Sequence, residues 1–135
     1  MNRRRPLRSG TLKFPPQHSP LRARSRTITG GASGIGLATA KQFAQRGSHV
    51  VLVDRDAAAL DSAAKEVRAA GSVTVATRVC DVSDFAAMRS LAANIFSTLG
   101  GVAFLFNNAG VAVGGPIAEM THDDWRWIID VDLWG

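Results

Sequence analysis

Short apolar runs alternate with helix-period segments along the chain from Thr27 onward. Val50–Val53 and Val102–Phe106 contain no polar residue, which is typical of parallel strands covered on both faces. Residues 73–79 form a more polar run, which indicates an edge strand. A further strand is expected directly before the glycine cluster at positions 30–36. The apolar runs therefore predict four strands.

Between these runs, apolar residues recur at the spacing of one helix face. The expected inward positions, helix by helix, are Gly36, Leu37, Ala40, Phe43, Ala44 and Gly47; Leu60, Ala63, Ala64 and Val67; Met88, Leu91, Ala92 and Ile95; and Trp125, Ile128, Ile129 and Asp132. The pattern thus predicts a helix after each strand.

Capping residues mark the helix ends. Ser83 or Asp84 is expected to begin the third helix, which Gly100 and the glycine after it end. Gly71 is expected to stop the second helix in a left-handed conformation. Thr121 and the Asp three residues later resemble a capping box for the fourth helix.

The alternation of strand and helix predicts an α/β fold with a doubly wound parallel sheet and helices on both faces. About four strands are expected, so the sheet is incomplete. The run at 102–106 is expected to form an open edge, and the product to be marginally stable and aggregation-prone.

Charge divides the chain of 135 residues into two parts. Residues 1–26 hold eight basic residues, no acid and four of the five prolines, so a disordered tail is expected. Residues 27–135 carry a net charge of −3 and form the predicted globular domain. Such a tail is compatible with a transit peptide, nucleic-acid binding or lipid binding. We prefer to interpret the tail as a solvated or non-native extension, because it has no amphipathic pattern, no interleaved aromatic residues and no lipidation signal.

Composition narrows the function classes further. No apolar stretch reaches the length of a membrane-spanning helix, so no membrane partner is expected. No nucleic-acid partner is expected either, because the excess of basic residues is confined to the tail. Cys80 stands alone and the three histidines are scattered, which excludes an intramolecular disulfide and predicts no metal site. A reducing, cytoplasmic location follows as the default.

The segment 29–36 is a glycine-rich turn between a predicted strand and a predicted helix. Gly30 permits the tight turn, Gly34 leaves room for a pyrophosphate, and Gly36 permits close packing of helix and sheet. The helix N-terminus would present unpaired N–H groups to the phosphates. Glycines also mark ordinary loops, so the turn alone is a weak signal.

An acid follows at the end of the next strand. Asp54 lies eighteen residues after Gly36, where a carboxylate can accept hydrogen bonds from a ribose and repel a 2′-phosphate. The alternative for Asp54 is a solvated strand end. Arg55 beside it could instead serve a 2′-phosphate. NAD is the predicted cofactor, with NADP as the alternative.

Together, T-G-x-x-x-G-x-G, Asp54, Asp81–Val82 and Asn107-Asn108-Ala109-Gly110 resemble the classical short-chain dehydrogenase/reductase family, from Thr29 to Gly135. The resemblance implies a Rossmann-type fold, its cofactor-binding part, and hydride transfer between a nicotinamide and a small alcohol or carbonyl substrate. It implies cofactor contacts from Gly30, Ser33, Gly34, Ile35, Gly36, Asp54, Arg55, Asp81, Val82, Asn107, Asn108, Ala109 and Gly110.

The resemblance also assigns individual roles. Asp81 would accept a hydrogen bond from the adenine amino group, while the Val82 backbone pairs with a ring nitrogen. Asn107 would tie strands together through its side-chain amide. Without the resemblance, Asp81 is a loop acid before a helix cap, and Asn-Ala-Gly is a strand-ending turn.

The sequence departs from the family in its catalytic residues. Members use a Ser, a Tyr and a Lys, the Tyr as general acid/base; this sequence has no Tyr, and its last lysine is Lys65. Asp132 stands where the family has a catalytic Asn. In a full-length relative, Asp132 would accept a hydrogen bond from the water molecule that links this site to the Lys. An Asp at a helix end is, however, more often a surface residue.

Both ends of the chain are unusual. A central first strand would bury Arg24 and Arg26 without evident partners, so either this strand is very short or a wrong start site or a frameshift lies upstream of Thr27. Gly135 ends the sequence inside a predicted helix, which favours a truncated copy. Such a copy is expected to be inactive alone, and a family-like homo-oligomer is expected only of a complete chain.

Three functions remain open. The preferred one is an NAD(P)-binding, dehydrogenase-like chain that lacks its proton-transfer residues. The second is a non-catalytic dinucleotide-binding module. The third, a nucleic-acid or membrane adaptor, would depend on the basic tail.

Overall fold

A computed structural model describes residues 25–71 and 74–135. The tail up to residue 24, with Arg24, lies outside the described residues, as do residues 72 and 73. The elements are β1 (Ser25–Thr29), α1 (Gly34–Gln45), β2 (His49–Asp54), α2 (Ala57–Ala70), β3 (Val75–Val79), α3 (Phe85–Leu99), β4 (Val102–Phe106), a 3₁₀ turn (Ile117–Glu119) and α4 (His122–Asp132).

The four strands form one parallel sheet in the order β3-β2-β1-β4. The predicted alternation, the parallel sheet and the edge positions of β3 and β4 are all confirmed within the described chain. β1 and β2 are central, so their carboxyl ends lie side by side at one edge of the sheet.

Two apolar layers cover the central strands. On one face, Val50 and Leu52 of β2 pack with α1 and α2, whose buried residues include Leu60. On the other face, Val51 and Val53 pack against α3 through Ile95. The unbroken apolar sequence of β2 is explained, since alternate side chains enter different layers.

The predicted helix faces are confirmed in part. All four inward positions of α2 are buried. In α3 only Ile95 is fully buried, Met88 and Leu91 are half-buried, and Ala92 is exposed. The prediction for Ala92 was wrong because the stripe of α3 that faces the sheet is narrower than a full helix face.

The caps also divide into correct and incorrect predictions. Asp84 caps α3, and Thr121 and Asp124 form the predicted capping box of α4. Gly100 ends α3 as predicted, and it is left-handed, with φ of 75°. Gly71 is not, because its φ of −166° is extended backbone. A Cβ there would lie 2.2 Å from the Ala44 carbonyl oxygen, so close packing of α2 on α1 requires this glycine.

β1 is as long as β3 and β4, and two of its buried polar side chains, Ser25 and Thr29, have hydrogen-bond partners. Ser25, Thr27 and Thr29 are buried, and the Ser25 hydroxyl donates to the Gly101 carbonyl at 2.8 Å. Arg26 is half-buried, with its guanidinium 6.0 Å from the centre of the Phe43 ring. The expectation of a buried Arg26 without partners was therefore wrong, because the side chain reaches an aromatic face.

The fourth helix departs most from its predicted face. Trp125 and Ile129 are 43% and 40% exposed, and Asp132 is exposed as well, whereas Val131 is buried. The predicted inward stripe was wrong because α4 meets the rest of the domain through its last turn and does not lie along β4. Among the described residues, no helix has the length and apolarity needed to cross a membrane.

Candidate functional site

A cleft of about 430 Å³ opens at the carboxyl edge of the sheet, where the ends of β1, β2, β3 and β4 meet. Its size is within the range of small-molecule sites. The residues that line it are Gly30, Ser33, Gly34, Ile35, Asp54, Arg55, Cys80, Asp81, Val82, Asn108, Ala109, Gly110, Val111 and Val131. Most of the predicted cofactor-binding residues are thus brought together, whereas Gly36 and Asn107 do not line the cleft.

The glycine turn forms the centre of the cleft. Gly30 has φ of 60° and Gly34 has φ of 51°, a region that favours glycine. A Cβ on Gly34 would meet no atom within 4 Å, so its backbone faces open space in the cleft. This is the geometry that a closely approaching ligand requires.

Gly36 supports the turn from behind. A Cβ there would lie 2.2 Å from the Gly30 carbonyl oxygen and 2.7 Å from Asn108 Nδ2. The sequence predicted that Gly36 permits close packing of helix and sheet. In the structure, the atoms that a Cβ at Gly36 would meet belong to the turn itself and to the Asn108 amide.

The start of α1 faces the cleft without an intramolecular anion. Ser33 is its exposed N-cap, its side chain makes no capping hydrogen bond, and the first turn contains no acid. The free N–H groups and the positive end of the helix dipole are therefore available to an anionic group.

Asp54 is held in place by backbone donors on both sides. Its Oδ2 accepts from the Ala32 N–H and its Oδ1 from the Asp56 N–H, both at 3.2 Å. The carboxylate is half-buried at the end of β2, in the wall of the cleft next to the glycine turn. Its orientation is fixed before any ligand arrives.

Asp81 is held by the residue two positions later. Its Oδ1 accepts from the Ser83 N–H at 2.9 Å and the Ser83 hydroxyl at 2.7 Å. These two hydrogen bonds, together with the positive charge of Arg55, lower the pKa of Asp81. Asp81 is therefore a carboxylate at neutral pH, and Arg55 lies within its electrostatic reach.

A hydrogen-bonded junction joins the glycine turn to the end of β4. Asn108 Nδ2 donates to the carbonyls of Thr29 and Gly30 at 3.1 and 3.2 Å. The Thr29 hydroxyl accepts from the N–H groups of Asn108 and Ala109 at 3.0 and 3.1 Å. The amide that ties the strands is thus that of Asn108, and the prediction for Asn107, which is exposed, was wrong in this respect.

Sequence reasoning missed Thr29 as a support of the site, although it is the Thr of the T-G signature. It also missed Cys80, Val111 and Val131 as lining residues. Burial raises the pKa of the Cys80 thiol, and the charges of Asp84 and Asp81 add to this effect. Cys80 is buried as predicted, and its raised pKa disfavours the thiolate form.

Asp132 lies at the β4 end of the cleft, just outside its lining. Its Oδ1 accepts from the Val111 N–H at 2.9 Å, which fastens the end of α4 to the loop after β4. The sequence has no Tyr, and its last lysine is Lys65. Among the described residues, no group of three His, Cys, Asp or Glu side chains is placed to hold a metal ion.

The residues present fit a dinucleotide. The cleft combines a carboxylate fixed at the end of β2, an unblocked helix N-terminus and a glycine without neighbours where a Cβ would point. These are the groups that contact the ribose and the pyrophosphate in doubly wound sheets.

Comparison with known proteins agrees with this geometry. The family model for short chain dehydrogenases matches residues 26–135. The 1-deoxy-11-beta-hydroxypentalenate dehydrogenase of Streptomyces exfoliatus is 38% identical over 116 residues, which are 84% of this chain and 42% of that protein. The chain spans about two fifths of the length of the curated relatives it matches.

Solved structures show the same similarity. An NAD⁺-bound xylitol dehydrogenase matches with a TM-score of 0.78 and 29% identity, over 85% of this chain and 44% of the other. A metagenomic short-chain oxidoreductase in complex with NADP matches with a TM-score of 0.77 and 34% identity, over 85% and 52%. Sequence, fold and cleft agree: this chain belongs to the short-chain dehydrogenase family of oxidoreductases.

Proposed function

We propose that this chain binds NAD in the cleft at the carboxyl edge of the sheet, as the cofactor-binding part of an oxidoreductase. The observation that carries this proposal is the Asp54 carboxylate, held by two backbone N–H groups beside an open glycine turn. When bound, the nicotinamide supplies hydride transfer to or from an alcohol or carbonyl substrate of the whole protein.

Each part of the cleft has a proposed role. Asp54 accepts from the hydroxyls of the adenosine ribose, and the N-terminus of α1 holds the pyrophosphate against Gly34. Asp81 and Val82 contact the adenine. Asn108, Ala109 and Gly110 extend along the second ribose, with Asn108 keeping the glycine turn in place. Ile35, exposed at the mouth of the cleft, shields the bound phosphates from water.

The preference for NAD over NADP follows from charge. A 2′-phosphate would lie against the Asp54 carboxylate and be repelled. Among the residues that the structure describes, Arg55 is the one cation that lines the cleft, and it contributes to lowering the pKa of Asp81. The repulsion by Asp54 supports NAD as the cofactor, and Arg55 leaves NADP as the alternative.

Proton transfer is a separate matter from binding. The family's acid/base is a Tyr phenol, and this sequence contains no Tyr. We therefore propose that residues 27–135 bind the dinucleotide without catalysing turnover by themselves, and that the basic tail is not needed for binding. Function as a non-catalytic dinucleotide-binding module is compatible with the same cleft.

Titration calorimetry on the full chain tests this proposal. NAD⁺ should bind more tightly than NADP⁺, and double-stranded DNA should bind only weakly and in a salt-dependent manner. Asp54→Asn should weaken NAD⁺ binding about tenfold, because a hydrogen bond to a charged group is lost. Asp61→Asn, on the exposed face of α2, removes the same charge and should change nothing.

Three results would contradict the proposal. They are no binding of either dinucleotide, tighter binding of NADP⁺ than NAD⁺, or equal effects of the two substitutions. Tight, salt-sensitive DNA binding without dinucleotide binding would favour the adaptor function instead.

A further inference from the structure

Negative charge is concentrated where α4 meets the cleft. α4 ends at Asp132, and its last turn contains no basic residue. The carbonyl groups at a helix C-terminus carry a partial negative charge, which basic residues in the last turn commonly offset. Here a carboxylate stands in that place, so the end of the helix and the side chain have the same sign.

The Asp132 carboxylate is fixed beside the cleft. Its bond to the Val111 N–H is the contact that positions it, and a Cβ on Gly110 would lie 3.5 Å from the same oxygen. Both Gly110 and Val111 line the cleft. In the described parts of the chain, the ion pairs are Lys41–Glu66 and Arg126–Asp123, and neither includes Asp132.

The strand order determines which part of a ligand would face this charge. Asp54 is the last residue of β2, and α1 begins after β1, the next strand along the sheet. A dinucleotide with its adenosine ribose at Asp54 and its pyrophosphate at α1 therefore directs its other end toward β4. That end is the nicotinamide, which is cationic in NAD⁺ and uncharged in NADH.

We propose that Asp132 gives the cleft a preference for oxidised NAD⁺ over NADH, an inference that rests on the proposed function. The carboxylate and the end of α4 attract a positively charged ring and make no corresponding interaction with a neutral one. An Asn at this position accepts from the Val111 N–H equally well, but adds no charge. Asp132→Asn therefore changes the electrostatics of the site while keeping its geometry.

Binding affinities measure this preference without any catalytic readout. The dissociation constants of NAD⁺, NADH and ADP-ribose are determined on the full chain and on Asp132→Asn at low salt. The ratio of NADH to NAD⁺ dissociation constants should fall about threefold in the variant, a size expected for one charge acting across a partly solvated gap. ADP-ribose lacks the nicotinamide, so its affinity should not change.

Two further variants separate charge from structure. Asp130→Asn removes a charge from the same helix at a residue that, unlike Asp132, is not bound to the lining residue Val111, and it should alter the ratio less than Asp132→Asn. Asp132→Ala removes the acceptor for Val111 and should weaken all three ligands together if the loop needs this bond. Raising the salt concentration should reduce the difference between the wild type and Asp132→Asn.

The outcomes are distinguishable. An unchanged ratio in Asp132→Asn, while both dinucleotides bind, would overturn the inference and leave the proposed function intact. A parallel loss of ADP-ribose affinity in Asp132→Asn would also overturn it, because the role would then be structural. Failure of the wild type to bind NAD⁺, NADH or ADP-ribose would overturn the proposed function and this inference with it.

Discussion

The strands β2 and β4 have similar sequences but different surroundings. The four residues from Val50 to Val53 are at most 1% exposed, because α1 and α2 cover one face of β2 and α3 covers the other. In β4, Phe104 and Leu105 are 49% and 53% exposed, although the strand is equally apolar. An apolar run therefore identifies a strand, but its burial depends on which elements stand beside it.

The functional site lies across this boundary. The part proposed to hold the adenosine is built on the well-covered β2, and the other end depends on β4 and on the last turn of α4. The junction between them consists of the hydrogen bonds that Thr29 and Asn108 exchange. The two sides should differ in stability as their burial indicates.

The largest effect is expected for a leucine in the covered strand. Leu52→Ala should lower the free energy of unfolding by about 3 kcal/mol, since Leu52 is 0% exposed and its removal leaves a cavity. Leu105→Ala, the same change in β4, should cost less than about 1 kcal/mol. Urea unfolding of both variants measures the difference, and equal losses would show that the contrast in burial has no energetic consequence.

The next effect concerns the glycine turn. Gly36→Ala should cost about 2 kcal/mol, because the new Cβ would press against the Gly30 carbonyl, which is backbone and cannot rotate away. Gly47→Ala is the control, since its site is open and only the φ of 71° is strained, at about 1 kcal/mol. Thermal unfolding compares the two, and a milder effect of Gly36→Ala would refute the packing argument.

Replacing two threonines of β1 by valine should change the free energy of unfolding in opposite directions. The Thr27 hydroxyl is buried and has no hydrogen-bond partner among the described residues, so Thr27→Val should stabilise the chain by about 1 kcal/mol. Thr29→Val removes the acceptor for two backbone N–H groups and should destabilise it by about 1 kcal/mol or more. Changes of the same sign in urea unfolding would contradict the assignment of the junction.

The smallest effect is a dependence on pH. The pKa values of Asp81 and Asp124 are lowered in the folded chain, chiefly by hydrogen bonds from Ser83 and Thr121 respectively. The unfolded chain therefore binds more protons in acid, so their contribution is present above about pH 4 and is lost as the pH falls further. The loss of stability between pH 7 and pH 3 should be smaller in the double variant Asp81→Asn/Asp124→Asn, and an unchanged loss would contradict it.

Predictions from the sequence also differ between features that depend on local pattern and features that depend on distant contacts. The strand at Val50–Val53, the buried face of α2 and the cluster of Gly30, Gly34 and Asp54 depend on local pattern, and each was predicted correctly. Local spacing suffices there because neighbouring elements along the chain are also neighbours in space.

The incorrect predictions depend on distant contacts. Gly71 was expected to be left-handed, but it is required by the approach of Ala44 from another helix. The strand-tying amide was assigned to Asn107, but it is Asn108 whose side chain reaches Thr29, about eighty positions earlier. The face of α4 was read from its period alone, whereas Val131 is buried because the last turn meets the cleft. These contacts join distant parts of the chain, so the residue spacing within one segment does not predict them.

Amide hydrogen exchange on the full chain, with and without NAD⁺, tests the position of the cofactor site most directly. Bound NAD⁺ should protect residues 30–36, 54–56, 81–83 and 108–111, while exchange in the exposed first turns of α4 stays unchanged. Protection confined to the basic tail or to α4, or none at NAD⁺ concentrations that calorimetry shows to be saturating, would contradict the placement of the dinucleotide in this cleft.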